Sequence, residues 1–180
     1  MPAEWSVGQR LLHWATALLV VGGFVLAFVM VALPLRELLL KFTLYQVHKS
    51  VGLLVLLMVL ARLLLRATHG RPVAEALPRW QARAASVGHG VLYALLIAVP
   101  ALGYFVASTA SLRIPTRFLG LIVLPDPIGP DPALFAVLRP LHRALAITLI
   151  VLAAGHAAMA VHHHLRGRAV LRRMWFGRVS

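Results

Sequence analysis

The sequence predicts an all-α integral membrane protein built as a bundle of four transmembrane helices. Of its 180 residues, 61% are hydrophobic and 13% are charged, whereas an ordinary globular domain is about 45–50% apolar and about 25% charged. Four separate stretches are long and apolar enough to cross a bilayer, which takes roughly 20 residues. The composition therefore excludes a soluble domain and predicts no nucleic-acid partner. The lipid bilayer is the first expected partner.

The four helices are predicted from the uncharged intervals of the chain. The interval between Arg10 and Arg36 holds no acid or strong base, and the next interval holds only Lys49. The third and fourth intervals, 84–112 and 144–165, hold no charged residue at all. We therefore predict a single domain over 1–180, with transmembrane helices at about 10–33, 42–65, 84–108 and 138–164.

The distribution of basic residues predicts the orientation. An even number of spans puts both termini on one side, which holds eleven arginines, while the opposite side holds seven basic residues. The positive-inside rule places the more basic side, and so both termini, in the cytoplasm. All four tryptophans fall on that side, as interfacial anchors do. They are Trp5, Trp14, Trp80 and Trp175.

Two connecting segments are long enough to carry structure of their own. Residues 67–83 form a predicted cytoplasmic linker between the second and third helices. Residues 109–137 form an outer loop that contains five prolines. This proline content predicts an ordered but irregular cap, with a short surface helix near 132–138.

The nine histidines are the candidates for a function, since the chain contains no cysteine. The lack of cysteine excludes disulfides, thiolate-ligated clusters and covalently attached c-type haem. Ionisable residues within membrane spans are costly, and they are therefore candidates for a functional role by default.

Four of the histidines are predicted to form two pairs at different depths. His142 and His156 are fourteen residues apart, so they share one face of the fourth helix, about 21 Å apart along its axis. His13 is predicted at the depth of His156, and His48 at the depth of His142, because the first two spans run in opposite directions. Two stacked histidine pairs suit two bis-histidine b-type haems in a helix bundle.

Other interpretations of the histidines stay open. A histidine in a span can simply pack within the bundle, and zinc or copper is an alternative to haem, although the two pairs lie too far apart to share one ion. His89, predicted at the depth of His13 and His156, could replace either of them as a ligand. The fourth span ends in a cluster that is either solvated or a source of protons. Its members are His162, His163 and His164.

Several short motifs follow one another along the chain. They are Leu12-His13-Trp14, His48-Lys49-Ser50-Val51-Gly52, Arg62-Leu63-Leu64-Leu65-Arg66, Gly88-His89-Gly90-Val91-Leu92-Tyr93, Pro100-Ala101-Leu102-Gly103, His142, His156 and His163-His164. In their order, spacing and side of the membrane, these motifs resemble the bacterial cytochrome b561 family of small four-helix dihaem proteins linked to quinone. The resemblance covers nearly the whole chain.

The resemblance implies a location, cofactors and an activity. It implies a bacterial inner membrane protein with two haems b, and the axial ligands would fall on His13, His48, His142 and His156. Members of the family look like superoxide oxidases, in which superoxide gives an electron at the outer haem and ubiquinone is reduced after transfer to the second. Related subunits instead anchor a partner dehydrogenase or hydrogenase to the quinone pool, and this is the alternative function.

A haem-free transporter is a third class of function. The sequence leaves open whether the chain forms a homo-oligomer or binds an electron-transfer partner.

The charge of the outer side agrees with an anionic substrate. That side carries seven bases against three acids, and a cationic rim raises the encounter rate of a small anion. Part of this charge can instead pair with haem propionates. The candidate residues for steering superoxide are Lys49, Arg113, Arg117, Arg139 and Arg143. The candidate residues for the quinone site are His163, His164 and the linker at 71–83.

Overall fold

The computed structural model describes residues 5–69, 78–168 and 170–175, and four long helices make up most of it. Each of these helices is long and apolar enough to cross a membrane. The protein is therefore a multi-pass membrane protein, and the predicted four-helix class is confirmed. The helices are α1 (Val7–Ala32), α2 (Leu38–His69), α3 (Arg79–Thr109) and α4 (Pro132–Leu165).

All four helices are longer than the predicted apolar spans. A helix satisfies its own backbone hydrogen bonds, so it can continue past the hydrocarbon into the charged interface. Residues 67–69 and 79–83, which were predicted as linker, are helical, whereas residues 70–77 lie outside the described part of the chain. Residues 132–138, predicted as a short surface helix, are helical, but they form the first turns of α4 and not a helix of their own.

Local sequence signals fix the ends of the helices. Ser6 and Gln9 form a capping box at the start of α1, in which each side chain accepts the other's backbone N–H, at 3.2 and 3.0 Å. The Asp131 carboxylate caps α4 by accepting a first-turn N–H at 2.9 Å. Helix α1 ends before Pro34, and a 3₁₀ turn at Leu35–Glu37 leads into α2.

A short antiparallel hairpin, which the all-α prediction did not include, lies between α3 and α4. Its strands are β1 (Thr116–Phe118) and β2 (Ile122–Leu124). Leu119 and Gly120 turn the chain with φ angles of 52° and 74°, a conformation that glycine adopts freely. We call this end of the bundle the hairpin end, and the opposite end, where α1 begins and α4 finishes, the termini end.

The packing of the helices leaves α4 apart from α1 and α2. Helix α1 packs along α2, and α3 along α4, while α2 also packs on α3. In the described residues α4 makes few close backbone contacts with α1 and fewer still with α2. The apolar core lies midway along the bundle, where α2, α3 and α4 meet. Its buried members are Val55, Val59, Leu95, Leu96, Val99 and Leu149.

Candidate functional site

Four half-buried histidines face one another in two pairs, across the space between α4 and the packed helices α1 and α2. At the termini end, the ring centres of His13 and His156 lie 6.3 Å apart, with an angle of 82° between the rings. At the hairpin end, the ring centres of His48 and His142 lie 6.5 Å apart, at 85°. The structure thus brings together the pairs that helical depth predicts, with the core residue Leu149 midway between them on α4.

The spacing of each pair suits two imidazoles on opposite sides of one metal ion. An imidazole nitrogen binds a metal at about 2 Å, and the ring centre lies about 1 Å behind that nitrogen, so two opposed rings on one ion have centres roughly 6 Å apart. Neutral imidazole is a usual axial ligand of haem iron. The residues that would hold such a group stand on α4 and on the packed helices α1 and α2, which make few close backbone contacts with α4.

Both histidines of the hairpin-end pair are oriented by backbone carbonyls. His48 Nδ1 lies 3.1 Å from the carbonyl oxygen of Gly23, and His142 Nδ1 lies 3.1 Å from that of Val99. Donation from Nδ1–H fixes the tautomer and leaves Nε2 free to bind a metal. Gly103 lets the His142 ring lie against α3, because a Cβ at this position would meet Cε1 of the ring at 2.9 Å.

The termini-end pair is held differently. His13 Nδ1 is buried and has no hydrogen-bond partner among the described residues. His89 of α3 also approaches this pair, with its ring centre 5.2 Å from that of His156. This distance is shorter than the roughly 6 Å expected between two opposed rings on one ion. His89 is also exposed, whereas His13 is half-buried. The geometry therefore favours His13 over His89 as the residue that could share an ion with His156.

Two arginines converge on a tyrosine at the termini end of the bundle. The guanidinium carbons of Arg62 and Arg66 lie 5.4 and 5.5 Å from the ring centre of Tyr93, within the range of cation–π attraction. A cavity of about 20 Å³ opens beside them, which is enough for one water molecule. Sequence reasoning placed Arg62 and Arg66 among the charges that set the topology and in one motif of the resemblance, but it did not predict that they meet Tyr93. Their spacing of four residues was the signal that placed them on one helix face.

The five basic residues proposed for steering all lie at the hairpin end. Lys49 is half-buried, and its ammonium donates to the carbonyl oxygen of Ile114 at 3.3 Å, so it ties α2 to the segment before β1. The other four are exposed to solvent. They are Arg113, Arg117, Arg139 and Arg143.

The hairpin is fastened to the turn of α2 that carries His48. The amide oxygen of Gln46 accepts the Arg117 N–H at 3.1 Å. The Ser50 hydroxyl donates to the Arg117 carbonyl at 3.2 Å and accepts the Leu119 N–H at 3.0 Å. Gln46 and Ser50 stand on either side of His48 in the chain. The same turn of α2 therefore positions both the hairpin and the hairpin-end histidine pair.

The residues proposed for the quinone site lie at the termini end. His163 is half-buried, with its Nδ1 3.4 Å from a guanidinium nitrogen of Arg168, which also donates to Gln81 at 3.4 Å. These contacts join the end of α4 to the start of α3. His164 is half-buried in the same turn. Of the proposed linker at 71–83, residues 71–77 lie outside the described part of the chain.

The segment after α4 folds back onto α1. Arg10 donates to the carbonyl oxygen of Trp175 at 2.8 Å, and Trp14 Nε1 donates to that of Met174 at 2.8 Å. The rings of Trp14 and Trp175 meet edge to face, with centres 5.7 Å apart. Sequence reasoning treated both tryptophans as interfacial anchors and Trp14 also as part of a motif. It did not predict their contact, since nothing in local sequence indicates that two distant segments meet.

A four-helix membrane bundle with two facing histidine pairs is the architecture of a membrane protein that holds haem for electron transfer. Residues 4–177 match the family of prokaryotic cytochrome b561. The chain is 31% identical over 170 residues to cytochrome b561 homolog 2 of Escherichia coli (strain K12), covering 91% of this chain and 86% of the relative. It is 30% identical over 167 residues to cytochrome b561 homolog 1 of the same organism, covering 89% and 90%. The chain belongs to the prokaryotic cytochrome b561 family and is a membrane b-type cytochrome.

Proposed function

We propose that the protein is a superoxide oxidase, which passes electrons from periplasmic superoxide to ubiquinone through two haems b. The observation that carries the proposal is the pairing of four histidines at two depths, with ring centres 6.3 and 6.5 Å apart. His48 and His142 would hold one haem at the hairpin end, and His13 and His156 would hold the other at the termini end. When bound, the haems supply one-electron transfer between ferric and ferrous iron.

The proposed orientation puts the hairpin end in the periplasm and both termini in the cytoplasm of a bacterial inner membrane. The larger number of arginines on the side of the termini supports it, because cytoplasmic loops are enriched in basic residues. The bilayer, superoxide and ubiquinone are then the partners that the chain meets.

The proposed reaction balances with two superoxide ions for each quinone. Each superoxide ion loses one electron at the hairpin end and leaves as dioxygen. Two electrons and two protons then convert ubiquinone to ubiquinol near the termini end. His163 and His164, which are half-buried at this end, are the proposed proton donors to the quinone, because a protonated imidazole donates from its ring nitrogens.

The hairpin end supplies the attraction for superoxide. Its exposed arginines generate a positive potential that concentrates a small anion and raises the rate of encounter. Lys49 adds a half-buried positive charge one residue from His48. Salt screens attraction by exposed charges, so the rate of encounter should depend on ionic strength.

The proposal is tested by the rate at which superoxide reduces the haems of the purified protein, followed by stopped-flow absorbance. We expect rapid reduction, with a second-order rate constant that falls several-fold as ionic strength is raised. Arg143→Gln should slow the reduction, whereas Arg166→Gln, which removes an exposed charge at the termini end, is the matched control and should not. Slow, salt-independent reduction with co-purification of an iron–sulfur partner would instead indicate an anchor subunit for a dehydrogenase or hydrogenase.

A further inference from the structure

The termini end of the α3–α4 pair carries a group of exposed arginines that the proposed reaction does not use. Arg79 and Arg83 stand four residues apart in the first turns of α3, on one face of the helix. Arg166 follows the last residue of α4, and Arg172 begins the short 3₁₀ turn Arg172–Met174. All four side chains are exposed. We call these four residues the arginine cluster.

Side-chain contacts join the two parts of the chain that carry the cluster. Arg168, half-buried just after α4, donates to the Gln81 amide oxygen at 3.4 Å, and the same guanidinium nitrogen lies 3.4 Å from His163 Nδ1. Helices α3 and α4 also pack along each other. The start of α3 and the residues after α4 therefore lie side by side, and their arginines stand together at one end of the α3–α4 pair.

The kind of base at this end is as informative as the number. The sequence assigns eleven bases and two acids to this side, and all eleven bases are arginine, whereas the hairpin side includes Lys41 and Lys49. The positive-inside rule counts lysine and arginine alike, so topology does not require this choice. A planar guanidinium presents paired donors that match two oxygens of a phosphate group. The arginines therefore favour a partner that carries phosphate.

The surroundings of the cluster suit a lipid. Helices α3 and α4 are both long enough to cross the membrane, so the arginines at their ends stand where the hydrocarbon meets the headgroup layer. Trp80, next to Arg79, is 70% exposed, and Leu165, next to Arg166, is 80% exposed. In a phospholipid the acyl chains begin just below the phosphate, so apolar side chains beside cations match its two parts.

We propose that the arginine cluster is a binding site for an anionic phospholipid, which it holds by the phosphodiester group. The guanidinium groups of Arg79, Arg83 and Arg166 bind the phosphate oxygens. Trp80 and Leu165 contact the glycerol and the first carbons of the acyl chains. Basic pockets between transmembrane helices recognise headgroups of this kind. The inference is independent of the proposed function, because it involves neither superoxide nor quinone.

Native mass spectrometry of the purified protein, mixed with equal amounts of phosphatidylglycerol and phosphatidylcholine, tests this proposal. We expect the protein to retain phosphatidylglycerol in preference. A triple variant with Arg79→Gln, Arg83→Gln and Arg166→Gln should bind it about tenfold or more weakly, because each basic residue near the membrane surface adds attraction for anionic lipid. Substitution of the same three arginines by lysine should also weaken binding, because an ammonium group keeps the charge but not the paired donors.

The matched control makes the same change in net charge at the hairpin end, with Arg113→Gln, Arg139→Gln and Arg143→Gln. These arginines are also exposed, and the control should keep the preference for phosphatidylglycerol. Haem content, measured on the same preparations, verifies that each variant is folded.

Three results would overturn the proposal. The first is equal binding of the two lipids by the unmodified protein. The second is loss of phosphatidylglycerol from the control as complete as from the termini-end variant, or undiminished binding by the lysine variant. The third is release of the lipid by millimolar inorganic phosphate, since this would mean that the site takes free phosphate instead of a lipid headgroup.

Discussion

His156 has two histidine neighbours, and the choice between them decides how the termini-end site is built. The ring centre of His13 lies 6.3 Å from that of His156, and the ring centre of His89 lies 5.2 Å away. Only the first distance matches the spacing of roughly 6 Å for two opposed imidazoles on one ion. His89 is also exposed on α3. We therefore propose His13, and not His89, as the ligand that would share an ion with His156.

This assignment predicts opposite results for the same substitution at two positions. His13→Ala should lose one of two haems, because it removes an axial ligand, whereas His89→Ala should retain both. The measurement is the ratio of haem to protein in the purified variants, determined from the pyridine haemochrome spectrum. Haem lost from His89→Ala but kept in His13→Ala would reverse the assignment.

The depth of each histidine could be predicted from the sequence, but its partners could not. Helical rise alone sets the depths of His142 and His156, because it does not depend on neighbouring helices. The hydrogen bonds of Nδ1 to Gly23 and Val99, and the close approach of Gly103 to His142, depend on how helices pack side by side. No periodicity in the chain carries that information.

Among the elements, the helices could be predicted and the hairpin could not. Each helix has an uninterrupted apolar stretch that gives a strong signal. The strands are only three residues long, and β2 contains no alternation of apolar and polar residues. Their stability comes from the side chains of α2 that hold them, such as Ser50, and this is a tertiary effect.

Removal of the Ser50 hydroxyl should weaken the attachment of the hairpin. Ser50→Ala deletes the hydrogen bonds to the Arg117 carbonyl and from the Leu119 N–H. Because each such bond contributes about 0.5–1.5 kcal/mol, the free energy of unfolding should fall by about 1–3 kcal/mol. Thr43→Ala is the control, because the Thr43 hydroxyl is exposed and bonds only to Leu39 of its own helix. Denaturation in detergent gives the stability, and faster hydrogen exchange at Leu119 would locate the change. Equal stability of the two variants would contradict this role.

For the whole molecule, the proposed orientation in the membrane rests on the distribution of charge between the two ends. The chain contains no cysteine, so a single introduced cysteine is a unique label. Leu121 at the tip of the hairpin is 85% exposed, and Leu165 at the end of α4 is 80% exposed. These two positions therefore report on the two ends with equal access to reagent.

We expect a membrane-impermeant maleimide added to intact spheroplasts to label Leu121→Cys and not Leu165→Cys. Disruption of the membrane should make both residues reactive, which controls for accessibility within the protein. The positive-inside rule gives the physical reason, since it puts the termini end in the cytoplasm. Labelling of Leu165→Cys alone in intact spheroplasts would invert the proposed topology.

We propose that the two histidine pairs, which are separated by an apolar core layer, each hold one haem b. The number of haems per chain is therefore the decisive measurement. We predict two haems per chain in the purified protein, one after His142→Ala, and one after His156→Ala. A single haem in the unmodified protein, or two haems retained in either variant, would contradict it.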